Sequence, residues 1–260
     1  LSKDFAEKTI SSLNGEEVQE VLEIIKEKKY EVLRLKPNIL GRTFYKGTPI
    51  FIKIFRRKKP FSFLLSPLRA SSSFRAYRTA LYMLQNGIDT PKPILSCEKR
   101  KIGFVVEDIY VTEDIGEHLS VREAVLKSEG EFRKEIIKKI ARLVRKIHEI
   151  SIYYRDLNLS NFLIKGYKIY LVDINRARIL KNPPSFLKRA IDISRMDLHG
   201  LERVFLTEYV KGLENAWILK CLTLFFIKIR KVRRIRRFFV RLFDRVMKGF
   251  KFMSLFSLLL

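Results

Sequence analysis

The sequence predicts an α+β fold of two unlike lobes: an N-terminal antiparallel sheet with one helix, and a helical C-terminal half that carries a single β-hairpin. Three observations predict it. Short alternating apolar runs dominate residues 30–55 and 94–113, the period of half-buried strands. Glu131 to Ile150 is amphipathic, with Phe132, Ile136, Ile140, Leu143 and Ile147 along one side of a helix. Asn161-Phe-Leu-Ile164 and Lys168-Ile-Tyr-Leu-Val172 are two short strands joined by a turn at Gly166. With 260 residues, 47% of them hydrophobic, the chain can bury a core and form two lobes around a cleft, and it does not read as a disordered chain.

The elements follow in order. Asn14 with Glu17 forms a capping-box pattern, so a helix should run from there to about Lys29. Strands broken at Pro37-Asn38, Gly41 and Gly47-Thr48-Pro49 come next, the last run ending at Phe55 and carrying Lys53. A basic loop, Arg56 to Ser73, precedes a helix from Phe74 to Asn86 that Gly87, Pro91 and Pro93 stop. Two further strands and a connector, Asp114-Ile-Gly-Glu117, lead into the helical half. These features divide the chain into residues 1–116, 117–210 and a basic tail, 211–260.

Charge narrows the classes of partner. Lys and Arg number 53 against 28 Asp and Glu, a net of +25, which calls for an anionic partner. Cys97 and Cys221 stand far apart, with no metal spacing and no disulfide framework. They are expected to be plain buried or partly buried thiols. Leu1 to Ile10 has no apolar core, so it does not read as a signal peptide. No apolar run reaches the ~20 residues of a spanning helix.

The hairpin carries the chemistry. In an antiparallel pair the start of one strand lies beside the end of the other. Asn161 and Asp173 therefore emerge at one end, and Asp156 lies in the loop that enters it. Two carboxylates and an amide oxygen gathered there suit Mg²⁺. A free carboxylate to position an acceptor hydroxyl, metal ligands and a phosphate-holding lysine are what phosphoryl transfer needs. Singly, Lys53 could be an exposed strand lysine, Asp156 a turn cap and Asp173 a strand end; their order in one chain is what points to chemistry. Ser160 has no base in an activating arrangement and reads as a turn residue. His118 and His199 read as solvated or structural.

At this point the chain resembles a known superfamily. Tyr154-Arg-Asp-Leu-Asn-Leu-Ser-Asn-Phe-Leu163 resembles the protein-kinase catalytic loop H-R-D-L-x-x-x-N, and Asp173-Ile-Asn175 resembles D-F-G. Lys53 resembles the phosphate-anchoring strand lysine, and His148 the structural helix histidine before the loop. Within that superfamily, Arg75-Ala-Tyr-Arg78, Gln85-Asn-Gly-Ile-Asp-Thr-Pro-Lys-Pro-Ile94, Val111-Thr-Glu113 and the stretch Arg189 to Tyr209 resemble the Kdo/heptose lipopolysaccharide kinase family. The resemblance covers about residues 33–209. It implies a protein-kinase-like bilobal fold that uses ATP and Mg²⁺, with Asp156 as catalytic base and Asn161 and Asp173 on the metal. It further implies Lys53 and Glu113 among the nucleotide contacts, and a lipopolysaccharide core sugar as acceptor at the cytoplasmic face of a Gram-negative-type inner membrane. A protein or other small-molecule kinase, or an inactive kinase-like scaffold, are the alternatives.

The sequence departs from the kinase pattern in four places. Tyr154 replaces the loop histidine, at a packing and hydrogen-bonding position. Asn158 stands where protein kinases often place a lysine. No G-x-G-x-x-G is present; Gly41-Arg-Thr-Phe-Tyr-Lys-Gly47 is the nearest candidate, with Arg42 and Thr43 as phosphate donors. The helix from Phe74 to Gln85 has no acidic residue to pair Lys53.

The tail adds an expectation about partners. From Lys228 to Lys251 there are eleven basic residues and one acid, Asp244. On a helix, Phe238, Leu242, Val246 and Phe250 share one face, and Arg230, Arg234, Arg237 and Arg241 fall broadly opposite. That pattern suits the anionic surface of a membrane; packing on the lobe is the alternative. No nucleic-acid fold or stacking platform accompanies the charge, so nucleic acid is not expected as a partner.

Overall fold

The computed structural model describes residues 5–56, 70–102 and 104–232. The N-terminal lobe is built on a six-stranded antiparallel sheet in the order β1-β5-β6-β4-β3-β2. The strands are β1 (Phe5–Ser11), β2 (Glu31–Arg34), β3 (Ile39–Tyr45), β4 (Thr48–Ile54), β5 (Pro93–Lys101) and β6 (Phe104–Glu113). Strand β1 is an element the sequence reading did not assign. It pairs along β5 from Phe5↔Lys101 to Ser11↔Leu95, so backbone pairing to a free sheet edge, more than apolar alternation, sets it.

Helices cover both faces of this sheet. Helix α1 (Gly15–Lys26) opens on the expected capping box of Asn14 and Glu17. It buries Val18, Val21, Leu22 and Ile25 against Ile50, Ile52, Leu95 and Val111. Helix α2 (Ser72–Gln85) is capped by the Ser71 hydroxyl and packs Ala76, Tyr77, Ala80 and Met83 with Tyr110 into the main core. Alternation along β6 explains the division, since Ile109 and Val111 face one cluster and Tyr110 between them faces the other. Lys53 lies opposite Tyr110 in the β4–β6 ladder, and so points to the α2 side.

After the connector come β7 (Leu119–Ser120), α3 (Val121–Lys127) and α4 (Gly130–Glu149). Strands β8 (Ile152–Tyr153), β9 (Phe162–Lys165), β10 (Lys168–Leu171) and β11 (Arg178–Ile179) follow, then α5 (Phe186–Ile193) and α6 (Glu202–Tyr209). The predicted hairpin is β9–β10, with β7 added as a third strand; β8 and β11 form a separate pair. Helix α4 starts and ends within a residue of its predicted limits but is rotated from the predicted stripe. Ile137, Ile140, Ala141, Val144 and Ile147 are buried, whereas Phe132 is 68% exposed. The predicted stripe followed one edge of a wider apolar face.

Residues 216–232 are helical and pack onto the C-terminal core through Leu219, with Ala216, Leu222 and Phe226 against it. The opposite side exposes Trp217, Leu224 and Phe225. The amphipathic faces predicted between Arg230 and Lys251 lie, beyond Val232, outside the described residues. No helix among the described residues is long and apolar enough to cross a membrane. Cys97 is buried as expected, whereas Cys221 is exposed.

The observed register of α4 makes opposite demands on two of its residues. Ile140→Ala, at a position with no solvent exposure, should cost about 2–5 kcal/mol of stability. Phe132→Ala on the same helix should change it by no more than about 0.5 kcal/mol. Urea denaturation of the two variants reads the difference, and equal losses would contradict this register.

Candidate functional site

The two lobes meet at a cleft of about 450 Å³, within the usual range for small-molecule sites. Leu33, Leu40 and Phe51 from the sheet and Ile174 from below give it apolar walls; Lys53, Asn161 and Asp173 give it a polar end. Lys53 Nζ lies 2.5 Å from Asp173 Oδ1, joining β4 to the segment after β10. Lys53 is 12% exposed and Asp173 42%. The helix glutamate missing from α2 is thus replaced, as partner of the lysine, by Asp173 itself. Helix α2 instead reaches the same segment through Arg75, whose Nε donates to the Asn175 carbonyl at 3.2 Å.

The hairpin brings Asn161 and Asp173 together. Val172 N–H donates to the Asn161 carbonyl at 2.9 Å, which fixes the two strand ends side by side. The Asn161 side-chain amide donates from Nδ2 to the Asp156 carbonyl at 3.0 Å. Its Oδ1 is thereby left as the acceptor for the cleft, the oxygen a hard cation requires. The donor set of Asn161 and Asp173 thus fits Mg²⁺ that takes its remaining ligands from phosphate and water. Asp156 does not line the cleft. Its carboxylate is 37% exposed and holds Arg176 Nη1 at 3.1 Å.

Backbone strain marks both loops. Arg155 (φ 69°) and Asp173 (φ 62°) occupy the left-handed region, which costs a non-glycine residue energy and persists only where surrounding bonds impose it. The buried Asp192 of α5 supplies those bonds for the first loop. Its carboxylate accepts the N–H of Tyr154 at 2.8 Å and of Arg155 at 2.7 Å. Tyr154 is fully buried and its hydroxyl donates to the carbonyl of Val172, the residue before Asp173. Burial first, and then the charges of Asp173, Asp156 and Asp192, hold that phenol well above its ordinary pKa. It therefore stays a donor, and ties the loop that carries Asp156 to the segment that carries Asp173.

His148, also fully buried, completes the support. Its Nδ1 meets the Tyr209 hydroxyl at 2.6 Å and its Nε2 lies 3.4 Å from Asp192. Burial lowers its pKa below 6.5, outweighing the opposite pull of Asp192. A neutral ring with its proton on Nε2 donates to Asp192 and accepts from Tyr209, whose pKa burial raises.

The other predicted residues divide. Glu113 lines the connector end of the cleft, with Lys92 Nζ at 3.4 Å. Arg42 also lines it, but its ion pair with the buried Asp114 of the connector holds it two residues along β3 from Leu40, the partner of Lys53. The geometry therefore gives Arg42 the connector end of the cleft, away from Lys53. Thr43, next along β3, turns to the other face and donates to the Lys29 carbonyl at 2.9 Å, so it is not part of the cleft. The segment Gly41–Gly47 is strand β3 and its far turn. Gly41 is there for packing, since a Cβ would lie 2.3 Å from the Tyr30 ring. The turn at the Lys53 end joins β2 to β3 across residues 35–38 and contains no glycine. Strand pairing order, which local glycine spacing does not encode, decides which turn overhangs the lysine.

Sequence reasoning missed the clamp made by Asp192, the Arg176–Asp156 pair, and His118, which lines the cleft with Nδ1 2.6 Å from the Gly116 carbonyl. An aspartate among buried apolar helix neighbours, Ala190 and Ile193, was the available signal for the first.

Comparison with known proteins agrees with this geometry. The model of the "Lipopolysaccharide kinase (Kdo/WaaP) family" matches residues 30–217. A "3-deoxy-D-manno-octulosonic acid kinase" of Haemophilus influenzae is 31% identical over 116 residues, 43% of this chain and 47% of that protein. One of the same description from Mannheimia succiniciproducens is 26% identical over 66% of this chain and 67% of that protein. The chain spans about half the length of the first of these relatives. Among solved structures, WaaP in complex with acyl carrier protein superposes with a TM-score of 0.63 at 17% identity, covering 87% of this chain and 98% of that one. That likeness shows the protein-kinase-like fold.

Two outcomes test the support beneath the site. Asp192→Ala leaves two loop N–H groups without their acceptor, at about 1–3 kcal/mol each; hydrogen exchange should show faster exchange at Tyr154 and Arg155 well before global unfolding. For His148, the folded-state pKa lies below 6.5, so the unfolded chain binds the proton first. The stabilisation is complete above about pH 6.5 and is lost as pH falls below it. The thermal midpoint should therefore fall on acidification from about pH 7 to pH 5, with a shallower slope in His148→Gln; parallel slopes would rule the histidine out as a source.

Proposed function

Because the chain belongs to the lipopolysaccharide kinase (Kdo/WaaP) family, we propose that it transfers the γ-phosphoryl group of ATP to a hydroxyl of a lipopolysaccharide inner-core sugar, with Kdo as that sugar. The observation that carries this reading is the Lys53–Asp173 pair across the cleft, with Asn161 beside it and bonded to the Asp156 carbonyl. The names of the curated relatives support Kdo over heptose.

The residues divide the work. The apolar walls and the connector take the nucleoside, and Lys53 Nζ holds phosphate oxygens. ATP would supply the phosphoryl group, and Asn161 Oδ1 and the Asp173 carboxylate would hold Mg²⁺, which would offset the phosphate charge. Lys53 then shares its charge between Asp173 and the phosphates. Asp156 accepts the proton of the acceptor hydroxyl and orients its oxygen in line. Arg176, paired to Asp156 at 3.1 Å, holds that carboxylate in place. The same reading puts the protein at the cytoplasmic face of a Gram-negative-type inner membrane. The basic stretch Arg230 to Lys251 would lie on anionic lipid, where each basic residue contributes about 1 kcal/mol.

Asp156→Ala should lower transfer to a Kdo-bearing lipid A acceptor by about 10²–10⁴-fold while leaving MgATP-dependent thermal stabilisation in place. Lys53→Ala should weaken that stabilisation as well. Turnover of Asp156→Ala at the parent rate ends the assignment. Mass spectrometry of core oligosaccharide made with and without the protein locates the phosphate; an unchanged core removes the substrate reading.

A further inference from the structure

Four arginines gather around the loop that carries Asp156. Arg155 precedes it in the loop. Arg178 lies in β11 opposite Tyr153 of β8, two residues upstream of Arg155. Arg195, just beyond α5, donates Nη1 to the Arg155 carbonyl, and its buried Nε has no hydrogen-bond partner. Arg176 holds the Asp156 carboxylate. Asp156 is the one carboxylate among the described residues that pairs with any of the four. The nearby Asp192 is committed to the Tyr154 and Arg155 backbone and to His148. None of the four arginines lines the nucleotide cleft.

Like charges held this close raise the energy of the folded chain unless an anion joins them. The repulsion is felt at Arg155, whose pKa is lowered by burial first and then by Arg178, Arg195 and Arg176. Guanidinium groups match carboxylate and phosphate oxygens in pairs of parallel hydrogen bonds.

We propose that Arg155, Arg178 and Arg195, with Arg176 at their edge, form a subsite for an anionic group on the acceptor, a carboxylate or a phosphate near the hydroxyl that is phosphorylated. This rests on the function proposed above. The subsite fixes the acceptor's register: with its anion in the arginine cluster, one hydroxyl reaches Asp156. Nucleotide and acceptor anions are thereby sorted into separate places, the first to Lys53 and the second to the arginines.

The test uses the full chain, with Arg178 as the substituted residue because it is exposed and bonds no loop backbone. With Kdo-bearing lipid A as acceptor, Arg178→Ala should raise the acceptor KM about tenfold and leave the KM for ATP within twofold. Arg178→Glu should raise the acceptor KM further. Two modified acceptors identify the anion: one with the Kdo carboxylate reduced to the alcohol, one with the lipid A phosphates removed. The acceptor on which the parent protein is already weak, and on which Arg178→Ala adds no further loss, has lost the recognised group. An Arg178 effect that persists on both overturns the proposal, as does an acceptor KM unchanged in both variants. Phosphatase treatment of the purified chain that abolishes the Arg178 effect also overturns it, assigning the cluster to a phosphorylated residue of the chain itself.

A binding measurement separates failure of this subsite from failure of the function. If no transfer to the glycolipid occurs, calorimetric titration with inorganic phosphate in the presence of saturating MgATP still decides the subsite. Binding by the parent that is weakened at least fivefold in Arg178→Ala upholds it. Equal binding by both, or by neither, overturns it.

Discussion

One buried carboxylate organises the site. Asp192 has no solvent exposure, so its charge must be met entirely by protein donors. It finds them in two consecutive backbone N–H groups of the loop that carries Asp156 and in the ring of His148. The carboxylate is fixed by α5, the ring by α4, and the ring's other nitrogen by Tyr209 of α6. Three helices thus converge on one loop, and the strained backbone of Arg155 is held because leaving it would strand those donors. Tyr154 passes the constraint across to Val172 and so to Asp173.

The cleft above that loop is spanned at both ends by a cation and a carboxylate. Lys53 meets Asp173 at one end, and Arg42 meets Asp114 of the connector at the other. The two pairs differ in what they leave available. Asp114 is almost completely buried beside Arg42, a fixed contact between sheet and connector. Asp173 is more than two-fifths exposed and lines the cleft. The first pair is a buried brace between sheet and connector, and the second leaves Asp173 open to the cleft.

Much of this was legible from spacing. The capping box at Asn14, the helix after Ser71, the α4 segment and the β9–β10 hairpin all arise from contacts within a few residues, where periodicity and turn chemistry report directly. The gathering of Asn161 and Asp173 was legible for the same reason, since a short hairpin leaves no freedom over which strand ends adjoin. Strand β1 was not, because its identity depends on the edge of β5, more than eighty residues away. The phosphate-side turn was misplaced for a related reason: glycine content suggested Gly41–Gly47, but the ladder order β4-β3-β2 puts residues 35–38 over Lys53. Thr43 followed that error to the wrong face of its strand.

By itself the amino-acid order determined the α+β class, the two-lobed architecture and the meeting of Asn161 with Asp173 at the hairpin mouth, because each is a consequence of short-range pattern. Only tertiary structure decided that Asp173 answers Lys53, that Asp192 holds the loop, and that arginines from three segments gather beside Asp156. Those outcomes depend on electrostatics between groups distant in sequence. Charges are paired or left unpaired by where the folded chain places them, and local sequence carries no record of that distance.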